Sequence, residues 1–92
     1  MHIDDWRARI DAVDLKILEL LNERARYSLE IGKIKHRMNL PVYAPERERA
    51  IYERVELANP GPLTCAAVRR LFERIIDESR RLEKEQSAER KA

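Results

Sequence analysis

Apolar residues recur at three- and four-residue steps through the first part of the chain, at Trp6, Ile10, Val13, Ile17, Leu20, Leu21, Ile31 and Ile34. That spacing is the period of one helix face. Between Asp4 and Met38 there is no proline and a single glycine, Gly32, and Asp4 and Asp5 bring N-cap and first-turn chemistry. The pattern predicts one long helix. Pro41 and Pro45 then bound a short extended connection over Asn39-Leu40-Pro41-Val42-Tyr43-Ala44. Pro45 suits the first turn of a second helix running to Ala58. Asn59-Pro60-Gly61-Pro62 is the clearest break in the chain. Thr64 is a natural N-cap for a third helix, with Val68, Leu71, Phe72, Ile75, Ile76, Ser79 and Leu82 on its inner stripe. After Glu83 the sequence turns polar, so residues 85–92 read as a frayed tail on a domain of residues 1–84. With no strand-like alternation and no repeat, the fold class is all-α: three helices, long, short and medium.

Length turns this reading into one about assembly. A helix of 35 residues is about 52 Å long, whereas a compact 92-residue chain has a radius of gyration of only about 12 Å. Two shorter helices cannot cover both ends of such a rod, yet its apolar stripe runs along nearly all of it. A second copy packed on the first helix is the simplest way to bury the stripe, so a homodimer is expected.

Composition removes several classes of function. Lys and Arg number 19 and Asp and Glu 17, for a net charge of +2. Arg69, Arg70, Arg74, Arg80 and Arg81 alternate with Glu73, Asp77 and Glu78 and read as a salt-bridged outer face. A nucleic-acid binder would segregate its positive charge, so no such partner is expected. The apolar runs are too short to span a bilayer, and Met1-His2-Ile3-Asp4-Asp5-Trp6 lacks the order of a secretory signal. A cytoplasmic protein with no membrane partner is expected. Cys65 is the sole cysteine, and His2 and His36 are few and far apart, which argues against a disulfide or a zinc centre. Cys65 reads as an incidental thiol, His36 as a solvated helix end, and Trp6 as a dimer-core or helix-end anchor.

The informative charges are those in phase with the core. Arg24, Ser28, Ile31 and Lys35 step by four, three and four, and the span from Arg24 to Lys35 comes within ~20° of three full turns. On the second helix Arg47 is in phase with Ile51 and Val55, and so points in. Arg49 is in phase with Glu53 and Glu56, and so points out. On the third, Phe72, Ile76, Ser79 and Glu83 form one line, which puts a hydroxyl and a carboxyl where apolar groups belong. Inward cations are costly unless something anionic meets them. Glu48 and Glu83 are too few to neutralise Arg24, Lys35 and Arg47. One reading is a pocket for a small ligand with more than one carboxylate, which guanidinium groups grip in a bidentate fork. The other is that these side chains snorkel out and pair on a solvated surface. Arg7 lies roughly 26 Å along the helix from Arg24 and about 100° around it, so it can serve such a pocket only in a partner chain.

Taken in order, Arg7-Ala8-Arg9-Ile10-Asp11-Ala12-Val13-Asp14, Leu20-Leu21-Asn22-Glu23-Arg24, Ile31-Gly32-Lys33-Ile34-Lys35 and Pro41-Val42-Tyr43-Ala44-Pro45-Glu46-Arg47-Glu48 resemble the all-helical class of chorismate mutases. Phe72-Glu73-Arg74-Ile75-Ile76-Asp77-Glu78-Ser79 continues the match, which covers about residues 4 to 84. The Asn59-Pro60-Gly61-Pro62 linker resembles mutase domains fused to prephenate dehydratase. The resemblance implies an intertwined homodimer of three-helix chains that rearranges chorismate to prephenate, on the route to phenylalanine and tyrosine, with no cofactor. It also implies site residues. Arg24, Arg47 and the partner's Arg7 would hold the dicarboxylate substrate, and Ser79 would lie near one carboxylate. Lys35 would donate to the breaking ether oxygen, Glu83 would face that oxygen from the other side, and Glu48 would bind the ring hydroxyl.

Two positions depart from the family pattern. Some relatives carry an amide at the Glu83 position, which donates at any pH, whereas a carboxyl donates only when protonated. Ala44 stands where relatives often have Asp; if the main chain is what contributes there, little is lost. The resemblance also leaves rivals: an isochorismate pyruvate-lyase with a similar cationic pocket, or a mutase-like dimer that is non-catalytic or works only when docked on another aromatic-pathway enzyme.

Overall fold

In the computed structural model, which describes residues 1–91 and side chains through residue 88, the chain forms three helices. These are α1 (Ile3–Arg37), α2 (Pro45–Ala58) and α3 (Cys65–Lys91). No strand occurs among the described residues.

Local chemistry accounts for each boundary. The His2 N–H donates to Asp5 Oδ2 at 2.8 Å, so α1 starts one residue ahead of Asp4. It ends where the Leu40 N–H donates to the Lys35 carbonyl at 2.8 Å and Asn39 turns to φ 56°, a left-handed conformation that Asn tolerates. Pro45 opens α2, where its missing N–H costs nothing. The Thr64 hydroxyl accepts the Ala67 N–H at 3.1 Å, the cap expected for α3. The expected frayed tail is instead helical from Glu85 to Lys91. Glu85-Gln86-Ser87-Ala88 contains no helix breaker, and Ser87 Oγ lies 3.4 Å from His36 Nδ1, which ties these turns to the end of α1. His36 is therefore half-buried rather than solvated. Ala92 lies outside the described residues.

α3 packs on both α1 and α2, and among the described residues α1 and α2 do not pack on each other. The result is a slab of 55 × 27 × 14 Å with a radius of gyration of 16.4 Å, well above the ~12 Å of a compact chain this long. The apolar core is small, consisting of Ile51, Val68 and Ile76. Leu71, expected on the inner stripe, is 54% exposed, because five residues place it about 140° around α3 from Ile76. On α1 only Ser28 is buried, and Trp6, Ile10, Val13 and Ile17 each leave about half their surface in solvent. No described helix is long and apolar enough to cross a membrane.

Candidate active site

The C-terminal half of α1, the connector, the start of α2 and the second half of α3 enclose a cleft of about 510 Å³, a volume suited to a small-molecule ligand. α1 contributes Arg24, Ser28, Ile31 and Lys35, the four residues that its phase brings to one side. Val42 and Ala44 of the connector form one wall. α2 adds Arg47, Glu48 and Ile51, with Arg47 at the exposed mouth, while Arg49 stays outside, as its phase required. α3 adds Ile76, Ser79, Arg80 and Glu83.

Two hydrogen-bonded groups set the interior. Arg24 Nη1 donates to Ser79 Oγ at 2.6 Å, joining α1 to α3. Lys35 Nζ donates to the Val42 carbonyl at 2.9 Å and to Glu83 Oε2 at 3.4 Å, with the Glu83 side chain only 8% exposed. Gly32, one turn before Lys35's neighbour His36, makes room for this pair. A Cβ on Gly32 would lie 3.3 Å from Glu83 Cγ, tighter than ordinary contact.

Burial raises the Glu83 carboxyl above the ordinary carboxylate range, although the Lys35 charge and hydrogen bond and the Arg24 charge all pull the other way. Burial, then the neighbouring charges of Arg47 and Arg54, pull Arg24 down from its usual range. A guanidinium starts so high that Arg24 stays cationic.

Glu48 faces the cleft, but its cation is one the sequence pattern assigns to the outer face. Arg80 Nε lies 3.0 Å from Glu48 Oε2. Arg80 sits four residues after Ile76 and three before Glu83, at the edge of the inner stripe, and that spacing was the available signal. Tyr27 also lines the cleft, three residues after Arg24, and the Val42 carbonyl reaches Lys35. The pattern of side chains gives no hint of a main-chain acceptor. Arg7 is not brought in. Its side chain is 71% exposed near the start of α1, 3.6 Å from Asp4.

The charges of the cleft therefore divide in a definite way. Glu83 pairs with Lys35 and Glu48 with Arg80, while among the described residues neither Arg24 nor Arg47 has a carboxylate within ion-pair distance. Two arginines are thus left without an ion-pair partner in one cleft, Arg24 half-buried and Arg47 at its mouth, and the fork of a guanidinium is a geometry that matches a carboxylate.

A family model described as chorismate mutase type II matches residues 6–84. The chain belongs to this family. The resemblance carried by the ordered motifs is thus borne out over nearly the same span. Among curated relatives, the bifunctional chorismate mutase/prephenate dehydratase of Aquifex aeolicus is 40% identical over 86 residues, covering 89% of this chain and 24% of that protein. The chain spans about a quarter or less of the bifunctional relatives it matches. A solved chorismate mutase (Form II) from Thermus thermophilus superposes with a TM-score of 0.90 at 38% identity, covering 91% of this chain and 96% of the other. A chorismate mutase from Helicobacter pylori, solved in complex with prephenate, superposes with a TM-score of 0.84 at 28% identity, covering 95% and 93%. The type II mutase fold is therefore the fold of this chain.

Proposed function

We propose that this chain catalyses the rearrangement of chorismate to prephenate, in a homodimer whose two clefts are each completed by the partner's Arg7. The observation that carries the reading is the surplus of cation in the cleft: two acids satisfied internally and two arginines free for a dianion. The substrate has two carboxylates, and the family to which the chain belongs performs this reaction.

The chemistry is unimolecular: one ether C–O bond breaks, one C–C bond forms, and no proton need be removed. The cleft then has two tasks. Arg24, Arg47 and the partner's Arg7 hold the carboxylates so that the enolpyruvyl arm lies over the ring, an orientation effect. Ser79, already bonded to Arg24, sits beside one carboxylate. Glu48 accepts the ring hydroxyl. Lys35 donates to the ether oxygen as negative charge grows on it, a preorganised electrostatic effect. Its two protein acceptors, the Val42 carbonyl and Glu83, fix the ammonium in place beforehand. Glu83, when protonated, donates to the same oxygen from the opposite side.

The test is direct. Purified protein incubated with chorismate should consume it, with prephenate identified by chromatography. Lys35→Ala should cut turnover by ~100-fold or more, the scale of losing one oxyanion donor. A folded protein that leaves chorismate untouched overturns the reading. Pyruvate released from isochorismate would assign the cleft to the lyase instead.

A further inference from the structure

We propose that Arg80 is the positioning residue for Glu48, holding that carboxylate against the cleft wall so that it can accept the ring hydroxyl of the substrate. This rests on the mutase reading and on the role given to Glu48 above.

The geometry is that of a clamp. Glu48 lies in the first turn of α2, and the packing of that helix within the chain is on α3. Arg80 spans the junction. Its Nε lies 3.0 Å from Glu48 Oε2, its Nη2 donates to Asp77 Oδ1 at 2.6 Å, and its guanidinium lies over the Tyr43 ring, 5.2 Å from the centroid. One planar group thus touches α2, α3 and the connector at once, which a lysine ammonium cannot do. The Glu48 side chain is 13% exposed. A carboxylate so enclosed, facing a wall of cations, needs a fixed partner or it swings to the nearest free arginine. Arg80 Nε is itself buried and off-line for a hydrogen bond, so charge rather than a directed bond holds the pair. Without Arg80, Glu48 is free to turn toward Arg47, one position before it, and to neutralise a cation that the substrate requires.

Kinetics with chorismate on Arg80→Met, Arg80→Lys, Glu48→Gln and the Arg80→Met/Glu48→Gln double variant test this. The hydroxyl contact is made in substrate and transition state alike, so its loss falls on KM. Arg80→Met is expected to raise KM ~10-fold with kcat largely kept, the scale of one hydrogen bond to a charged group. Arg80→Lys, which keeps the charge and guards against a folding defect, should fall between. The double variant should lose no more than Glu48→Gln alone, because Arg80 acts through Glu48. Losses that add in the double variant, or an Arg80→Met enzyme with unchanged KM, overturn the assignment. If Glu48→Gln itself leaves KM unchanged, the role of Glu48 falls and takes this one with it. If the wild-type chain does not turn over chorismate, the mutase reading falls first.

Discussion

Glu83 is the residue at which the cleft's electrostatics are least ordinary. A carboxylate 3.4 Å from an ammonium should ionise more readily, yet burial at 7% exposure outweighs Lys35 and Arg24 and raises the group instead. The sign then fixes a pH dependence. Because the folded chain holds this proton to higher pH than the unfolded chain, the stability it contributes is full below the unfolded pKa and is lost as pH rises through the folded one. The population able to donate a hydrogen bond follows the same direction. Activity is therefore expected to rise as pH falls through the folded pKa of Glu83, above the ordinary carboxyl range. Glu83→Gln, which donates at every pH, should flatten that limb. Parallel pH–rate profiles for the two proteins check this, and superimposable profiles would sink it. The inward placement of Glu83 was legible from its line with Phe72, Ile76 and Ser79. A carboxyl raised by burial against the pull of Lys35 was the condition that placement set for Glu83 to act as a donor, and the burial of the group meets it.

Single-helix periodicity carries a reader a long way in a chain like this one. Pro45, Thr64 and the Asn59-Pro60-Gly61-Pro62 break mark the helix starts and the second loop by backbone chemistry alone, and Arg24, Ser28, Ile31 and Lys35 meet as their spacing requires. What periodicity cannot convey is how closely two helices approach. Arg80 looked like an outer charge because its phase puts it only at the edge of the inner stripe of α3, and that α2 brings Glu48 to this edge is set by packing between the helices. Gly32 carried no evident role until α3 was seen against it. At Gly32 two effects compete on substitution. Alanine favours an isolated helix by ~1 kcal/mol over glycine, but its Cβ would stand 3.3 Å from Glu83 Cγ and 3.5 Å from Glu83 Cβ, so the side chain must give by a few tenths of an ångström. The two nearly offset in stability and do not offset in function, since Glu83 is displaced from Lys35. Gly32→Ala is expected to unfold within ~1 kcal/mol of wild type in denaturant and yet to lose ~10-fold in kcat/KM, the cost of a small misplacement at a reacting centre. Unimpaired catalysis in that variant would show that Glu83 needs no such room.

On the scale of the whole molecule, a 55 Å slab with Trp6, Ile10, Val13 and Ile17 half in water is not a finished object. Covering the exposed half of each of these side chains is worth roughly 0.7–1.5 kcal/mol, half the value for full burial, and the Arg9 guanidinium, 5.0 Å from the Trp6 ring centroid, is a cover from the same helix for one of them. Arg7 stands on this uncovered half, roughly 26 Å along α1 from the cleft of its own chain. A dimer in which the N-terminal half of α1 lies across the partner answers both problems at once, and it makes a prediction that no monomer could satisfy. Arg7→Ala and Lys35→Ala homodimers should each be nearly inactive, because every cleft then lacks one group. In a heterodimer the defects segregate: one cleft carries both, and the other takes its Lys35 from the first chain and its Arg7 from the second. Unfolding the two variants together and refolding them yields heterodimers as about half the population, each with one intact site, so activity should return to about a quarter of wild type. The same proteins refolded apart and then combined supply the control, since exchange is slow for an extensive interface. A co-refolded mixture no more active than its parents would mean that Arg7 serves its own chain or no site at all, and the intertwined arrangement would have to be abandoned.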